Sequence, residues 1–270
     1  MRRIASACGL CAVLAACGGS SDGPGPAPSP TVSSLRVTFQ DILLVGRSAS
    51  ATASATMSNG QVQNVGTGWR SSAPQVATVT DSGSVRGMAN GDATISVSFG
   101  GQEGSKAVRI APDYDGRWEG LQVVTSCVDS EDFEGICEEP PDVVGRGFPI
   151  RLTARHGGTL GVAGEFMVEQ ITFPTFTVDV EPDGSIRFAG TMVVEGIRAF
   201  AEWHINSTEG GRATGTIREV YDAPGEFDGR VTYESRLSGF VRAGAASTSS
   251  ADASIRSAAM QKLRRFRRQT

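Results

Sequence analysis

The stretch Ile197-Arg198-Ala199-Phe200-Ala201-Glu202-Trp203-His204-Ile205-Asn206 sets Ile197, Ala199, Ala201, Trp203 and Ile205 on one side of an extended chain. Arg198, Glu202, His204 and Asn206 fall on the other. Successive side chains of a strand point to opposite faces, so the run reads as a half-buried β-strand. The same period recurs around it. Phe176, Val178 and Val180 oppose Thr175, Thr177 and Asp179; Ile186, Phe188 and Gly190 repeat the pattern, as do Val231 and Tyr233 between Arg230, Thr232 and Glu234. His156-Gly157-Gly158, Pro182-Asp183-Gly184 and Glu209-Gly210-Gly211 supply turns between such runs. About eight strands fit between Asp113 and Arg242, each with one polar and one apolar face, which suits an antiparallel up-and-down barrel or a sandwich.

Upstream the runs are shorter. Leu35-Arg36-Val37-Thr38-Phe39, Val76-Ala77-Thr78-Val79 and Ala93-Thr94-Ile95-Ser96-Val97 alternate, and Ser58-Asn59-Gly60 and Asp81-Ser82-Gly83 are hairpin-type turns. Regular spacing of such strands over about 80 residues points to a β-sandwich. Composition agrees: 34 Gly, 12 Pro and 7% aromatics in 270 residues favour many short strands, and 39% hydrophobic with 20% charged residues marks a globular chain. The length fits one large domain or two small ones. The fold class is therefore all-β, a sandwich followed by a second antiparallel β domain.

Trp69-Arg70-Ser71-Ser72, Val76-Ala77-Thr78-Val79, Gly83-Ser84-Val85-Arg86-Gly87 and Gly91-Asp92-Ala93-Thr94-Ile95, with Val45-Gly46 upstream, resemble the group 2 bacterial immunoglobulin-like domain (BIG2). The resemblance implies an Ig-like sandwich plugged by Trp69, used at bacterial surfaces as a spacer or binding module without catalytic residues. Residues 48–56 depart from the family pattern, with Ala, Ser and Thr where larger apolar residues are usual. Gly116-Arg117-Trp118 resembles the Gly-x-Trp of lipocalin-like (calycin) barrels, which makes such a barrel the leading architecture for the second domain.

The N-terminus reads as an address. Arg2 and Arg3 precede a short apolar stretch over residues 4–16, the pattern of a secretory signal peptide. It ends in Leu14-Ala15-Ala16-Cys17, which resembles the lipobox of bacterial lipoproteins; the resemblance implies cleavage before Cys17 and its acylation. Several acyl chains on one residue, palmitate among them, give durable anchoring. Gly18 where inner-membrane retention uses Asp implies the outer membrane, in a host that has one. The Gly/Ser/Pro-rich segment that follows cannot bury a core and reads as an extended tether. The expected organisation is a signal peptide at 1–16, lipidated Cys17 and tether at 17–31, a BIG2 domain at 32–111, a barrel-like domain at 112–242 and a disordered or short basic helical tail at 243–270.

Of five cysteines, Cys8 and Cys11 leave with the signal and Cys17 is modified, so Cys127 and Cys137 remain. In an oxidising compartment such a pair is most simply a disulfide, contributing roughly 2–3 kcal/mol. The loop between them carries Asp129, Glu131, Asp132 and Glu134, with Glu138 and Glu139 following. Clustered carboxylates can collect Ca²⁺, but the spacing matches no calcium loop, and a solvated acidic loop is expected.

Chemistry is sparse. His156 sits at a turn and His204 on a polar strand face, neither with a Cys or His at ligand spacing; surface or hydrogen-bonded structural roles are expected. No nucleophile elbow, zinc-binding His pair or phosphate loop occurs, and among the plentiful carboxylates no two stand out as a glycosidase-type pair, which counting alone leaves open; neither a catalytic residue, a metal nor a cofactor is expected, and an enzyme of unrecognised type ranks third. Between Asp113 and Arg242 there are 23 Asp and Glu against 11 Arg, a charge of 11 − 23 = −12, which disfavours nucleic acid. The tail instead carries Lys262, Arg264, Arg265, Arg267 and Arg268. No apolar run reaches the ~18–20 residues of a membrane-spanning helix. The chain reads as a non-enzymatic surface binding or adhesion module, its partner being a glycan or protein. The alternative is a carrier holding a small apolar ligand where Ala199, Ala201, Ala213 and Gly215 leave room inside the barrel.

Overall fold

The computed structural model describes residues 29–138, 143–168, 171–194, 196–208, 210–222 and 229–243. All regular elements among them are β-strands. The signal peptide, Cys17, most of the tether and the basic tail lie outside the described residues.

The first unit contains β1 (Val32–Thr38), β2 (Ile42–Leu44), β3 (Ser48–Ser50), β4 (Thr52–Met57), β5 (Val62–Val65), β6 (Trp69–Ser71), β7 (Ala77–Val79), β8 (Ser84–Gly87), β9 (Gly91–Phe99) and β10 (Gln102–Ala111). They form sheets ordered β1-β4-β5, β2-β10-β9-β6 and β3-β8-β7, and β2 runs parallel to β10. Their inner faces meet in one core around Trp69, Val85, Ile95, Val97 and Ile110. The small residues of 48–56 belong to that core, because Ala51, Ala53 and Ala55 turn inward and are buried. Methyl groups there admit the indole of Trp69, which is 6% exposed.

The second unit contains β11 (Gly116–Glu131), β12 (Gly147–His156), β13 (Gly161–Val168), β14 (Ile171–Thr172), β15 (Phe176–Asp179), β16 (Ser185–Val194), β17 (Ile197–Thr208), β18 (Arg212–Asp222) and β19 (Gly229–Arg242). Their antiparallel sheet runs β14-β13-β12-β11-β19-β18-β17-β16, and β15 pairs with β13 beyond β14. The turn from β15 into β16 brings the two ends together, giving a nearly closed eight-strand barrel rather than a sandwich. The alternating stretch is β17, with Trp203 opposite Phe188 of β16 and Ile217 of β18. Ala199, Ala201, Trp203 and Ile205 are buried and Arg198 and Glu202 exposed, as period two requires of a sheet with one wet face.

Aromatic rings occupy the barrel interior. Trp203 lies 4.6 Å from Phe166, 4.8 Å from Phe173 and 5.0 Å from Phe188, centroid to centroid, and Phe176 stacks on Phe188 at 3.9 Å. An eight-stranded barrel is just wide enough for side chains to fill it. Gly215 serves close approach rather than a cavity: a Cβ there would run into the carbonyl oxygen of His204 on the neighbouring strand. At one end Trp118 is fully buried between Phe240, 6.1 Å away, and the guanidinium of Arg242, 4.9 Å from its ring.

At the opposite end the β11–β12 connection folds back on the barrel. Cys127 and Cys137 form a disulfide across 10 positions. The loop it closes is more than a solvated acidic turn, because Phe133 and Ile136 are buried against Val124, Val143, Val231 and Tyr233. Its Asp129 accepts the backbone N–H of Cys137 at 2.9 Å, a structural use of one carboxylate. Replacing both cysteines by Ser is expected to lower stability by about 2–3 kcal/mol through loop entropy in the unfolded chain. Urea midpoints of the double variant and of the wild type check this; coincident midpoints would contradict it.

Candidate functional site

The segment joining the two units is buried. Ala111 and Tyr114 are fully inaccessible and Asp113 is 8% exposed. A connecting segment buried this deeply must find partners for its polar groups, and it draws them from both sides. Asp113 Oδ2 accepts from Arg47 Nε and Nη2 of the first unit, at 3.2 and 3.1 Å, and from Arg242 Nη1 of the second at 3.3 Å. Arg242 Nη2 also donates to the Asp113 carbonyl, and Asp113 Oδ1 takes the N–H of Asp115 at 3.0 Å. One carboxylate thus ties an arginine from each unit.

Tyr114 extends the tie into the barrel. Its hydroxyl accepts the N–H of Ser207 at 3.0 Å and faces the carbonyls of Gly184 at 2.7 Å and Ile205 at 2.9 Å, donating to one of them. Burial holds this phenol above its ordinary range, so it keeps its proton as a donor. Opposite, Arg109 Nη2 of β10 donates to Asn90 Oδ1 at 3.0 Å and to the carbonyl of Pro182 at 2.7 Å. Gly184 completes the seam: its φ is +87°, and a Cβ would stand 2.9 Å from Asn90 and 3.0 Å from Pro112. The Pro182-Asp183-Gly184 turn is therefore the piece of the barrel that seats on the first unit.

His156 belongs to the same junction. It ends β12 and is 7% exposed, so it is neither in an open turn nor on the surface. Its Nδ1 accepts the N–H of Tyr114 at 3.4 Å, which leaves the proton on Nε2 to donate to the Thr159 carbonyl. Burial lowers its pKa, outweighing the pull of that carbonyl and of Asp113 and Asp115. An unfolded His titrates near 6.5, so below that pH the unfolded chain takes up a proton that the folded chain resists. The stabilisation is complete above 6.5 and is lost as pH falls through the lower folded value. His156→Asn keeps an acceptor for Tyr114 and removes the titration; denaturation midpoints should fall less steeply below pH 6.5 in this variant than in the wild type. Parallel profiles would contradict the assignment.

Beside this tie the units leave a cleft of about 480 Å³. Arg86, Met88 and Asn90 line it from the first unit, Pro112 and Asp113 from the segment between, and Ser207, Gly211 and Arg242 from the barrel. Nothing local in the sequence marked it, since β8, the β17–β18 turn and the end of β19 meet there only through the fold.

A second polar group lies inside the barrel. Gln122 Nε2 donates to Glu219 Oε2 and, at 3.2 Å, to Ser235 Oγ; all three residues are buried. The one signal for it was an acid at an inward position, Glu219 between Ile217 and Tyr221. Among the described residues no three His, Cys, Asp or Glu side chains converge to hold a metal ion.

The sandwich topology of the first unit, its buried Trp69 and its Gly-marked turns can now be set beside known proteins. Residues 31–110 match the family model described as bacterial Ig-like domain (group 2). The Ig-like domain thus makes up the first unit, and the barrel lies beyond the matched residues. No curated protein matches the chain. Two solved structures of the surface layer protein SbsC, of its domains 4–9 and 1–6, resemble it at 14% and 12% identity with TM-scores of 0.29 and 0.25. They take in 76% and 68% of this chain, which spans 31% and 40% of theirs. Overlap at that level defines no shared fold.

Proposed function

We propose that the chain is a non-enzymatic binding module of the bacterial cell envelope, anchored by acyl chains on Cys17 and directed to the outer membrane by Gly18 in a host that has one. Residues 17–31 act as the tether, the Ig-like domain as the spacer and the barrel as the distal part. The observation that carries this reading is the buried tie at Asp113 and Tyr114, which holds the barrel in one orientation on its spacer. A spacer that fixes what it carries suits a recognition surface, which gains affinity when little must be ordered on contact. The ring-filled interior supports recognition on the outside of the barrel, by a glycan or protein, over carriage of an apolar ligand within it.

Two measurements on the chain expressed in a bacterial host test the proposal. Palmitate labelling should mark the wild type and vanish in Cys17→Ser. Native mass spectrometry of the chain from residue 18 onward, secreted behind a signal peptide that is cleaved without acylation, should give one mass, short of the reduced value by the two hydrogens of the disulfide. A recurrent apolar adduct released by organic solvent would replace this reading with a carrier.

A further inference from the structure

We infer that the cleft between the Ig-like domain and the barrel binds a small carboxylate-bearing ring, such as an acidic sugar, with Arg86 as its charged contact. The inference rests on the reading of the chain as a surface binding module and names the ligand class of one site on it.

Charge points there first. The barrel region carries 23 acidic and 11 basic residues, yet among the described residues that line the cleft Arg86 and Arg242 face Asp113 as the one acid. Asp113 does not balance them both. Its Oδ2 is taken by Arg47 as well as Arg242, and its Oδ1 by a backbone N–H, so its charge is already met. Arg86 is left over: its side chain is exposed, lines the cleft and has no ion pair among the described residues. Its backbone, by contrast, is fixed between Ser48 of β3 and Thr78 of β7. A planar guanidinium held at its base matches a carboxylate by two parallel hydrogen bonds.

The rest of the lining suits a ring with one apolar face. Met88 is 39% exposed and Pro112 lines the same cleft, whereas Ser207 adds a hydroxyl. About 480 Å³ falls within the range of small-molecule sites and holds a ligand of one or two rings. Because the junction is tied by Asp113, Tyr114 and Arg109, the cleft exists before the ligand arrives.

The test is a titration of the full chain carrying Cys17→Ser with glucuronate, glucose and inorganic phosphate, followed by calorimetry and amide shifts. Glucuronate should saturate with a dissociation constant of about 1 mM or below, shifting the amides of Gly87, Met88 and Gly211, while glucose should not saturate. Arg86→Gln, exposed and away from the core, should weaken binding about tenfold, and about 1 M salt should do the same. Met88→Asp, placing a negative charge in the cleft, should weaken it as well. Equal binding to wild type and Arg86→Gln, or no saturation, overturns the inference; phosphate binding tighter than glucuronate overturns the ligand class. A clean native mass alongside no glucuronate binding removes this inference and leaves the surface-module reading standing, whereas an apolar adduct removes that reading itself.

Discussion

Trp203→Ala is expected to destabilise the barrel by about 3–5 kcal/mol, lowering its melting temperature by on the order of 10 °C. The indole is 1% exposed and touches Phe166, Phe173 and Phe188, so its removal opens a void that three rings cannot fill without leaving their own contacts. The cost has two parts, the lost transfer of a large apolar group and the cavity that remains. Trp203→Phe reduces both. Trp203 Nε1 has no hydrogen-bond partner among the described residues, so Phe gives up area but also removes an unpaired donor. Its expected cost is about 1–3 kcal/mol, below that of Ala, because the phenyl ring fills most of the void and the unpaired donor is gone. Differential scanning calorimetry of both variants checks the pair. A Trp203→Ala protein as stable as the wild type would mean that the barrel is not filled at this point, and the carrier reading would return.

Tyr114→Ala is expected to cost a similar amount, about 3–5 kcal/mol, but through the junction. The ring is fully buried, 6.4 Å from Trp118 and 6.5 Å from His156. Removing it deprives the Ser207 N–H of its acceptor and leaves a cavity where the connecting segment enters the barrel. Tyr114→Phe keeps the ring and loses only the hydroxyl, leaving the Ser207 N–H and one carbonyl unpaired at about 1–3 kcal/mol. Chemical denaturation of the two variants orders them. If Phe cost as much as Ala, the hydroxyl would dominate and the packing account would fail.

Much of the fold was legible because one physical rule governs most of it. In β17 a buried Trp203 and an exposed Glu202 differ by one position, and a shift of one residue would turn both the wrong way. That constraint writes itself into the sequence as period two. The same holds at Trp69, where a large ring among short strands has one place to go. The closure of the second sheet into a barrel was not decided by the alternation, since a sandwich obeys the same period.

The junction was invisible for a different reason. The domain boundary read from the sequence falls between residues 111 and 112, and nothing in that reading marks Asp113 and Tyr114 beside it, because their partners lie far along the chain: His156 is 42 positions from Tyr114, and Arg242 is 129 from Asp113. No local pattern encodes such contacts. The disulfide-closed β11–β12 loop shows the same limit in miniature. Its carboxylates dominate the composition, whereas Phe133 and Ile136 decide how it folds. His156 was legible as a hydrogen-bonded structural residue but not as a buried one, since its cover comes from the connecting segment.

Amide residual dipolar couplings of the full chain carrying Cys17→Ser, in a weakly aligning medium, test the central claim that the buried tie makes spacer and barrel one body. The account predicts that a single alignment tensor fits the strands of the Ig-like domain and of the barrel together, and that Tyr114→Ala relaxes this agreement. Two tensors of different orientation or magnitude in the unsubstituted junction would contradict it, since the barrel would then swing freely on its spacer.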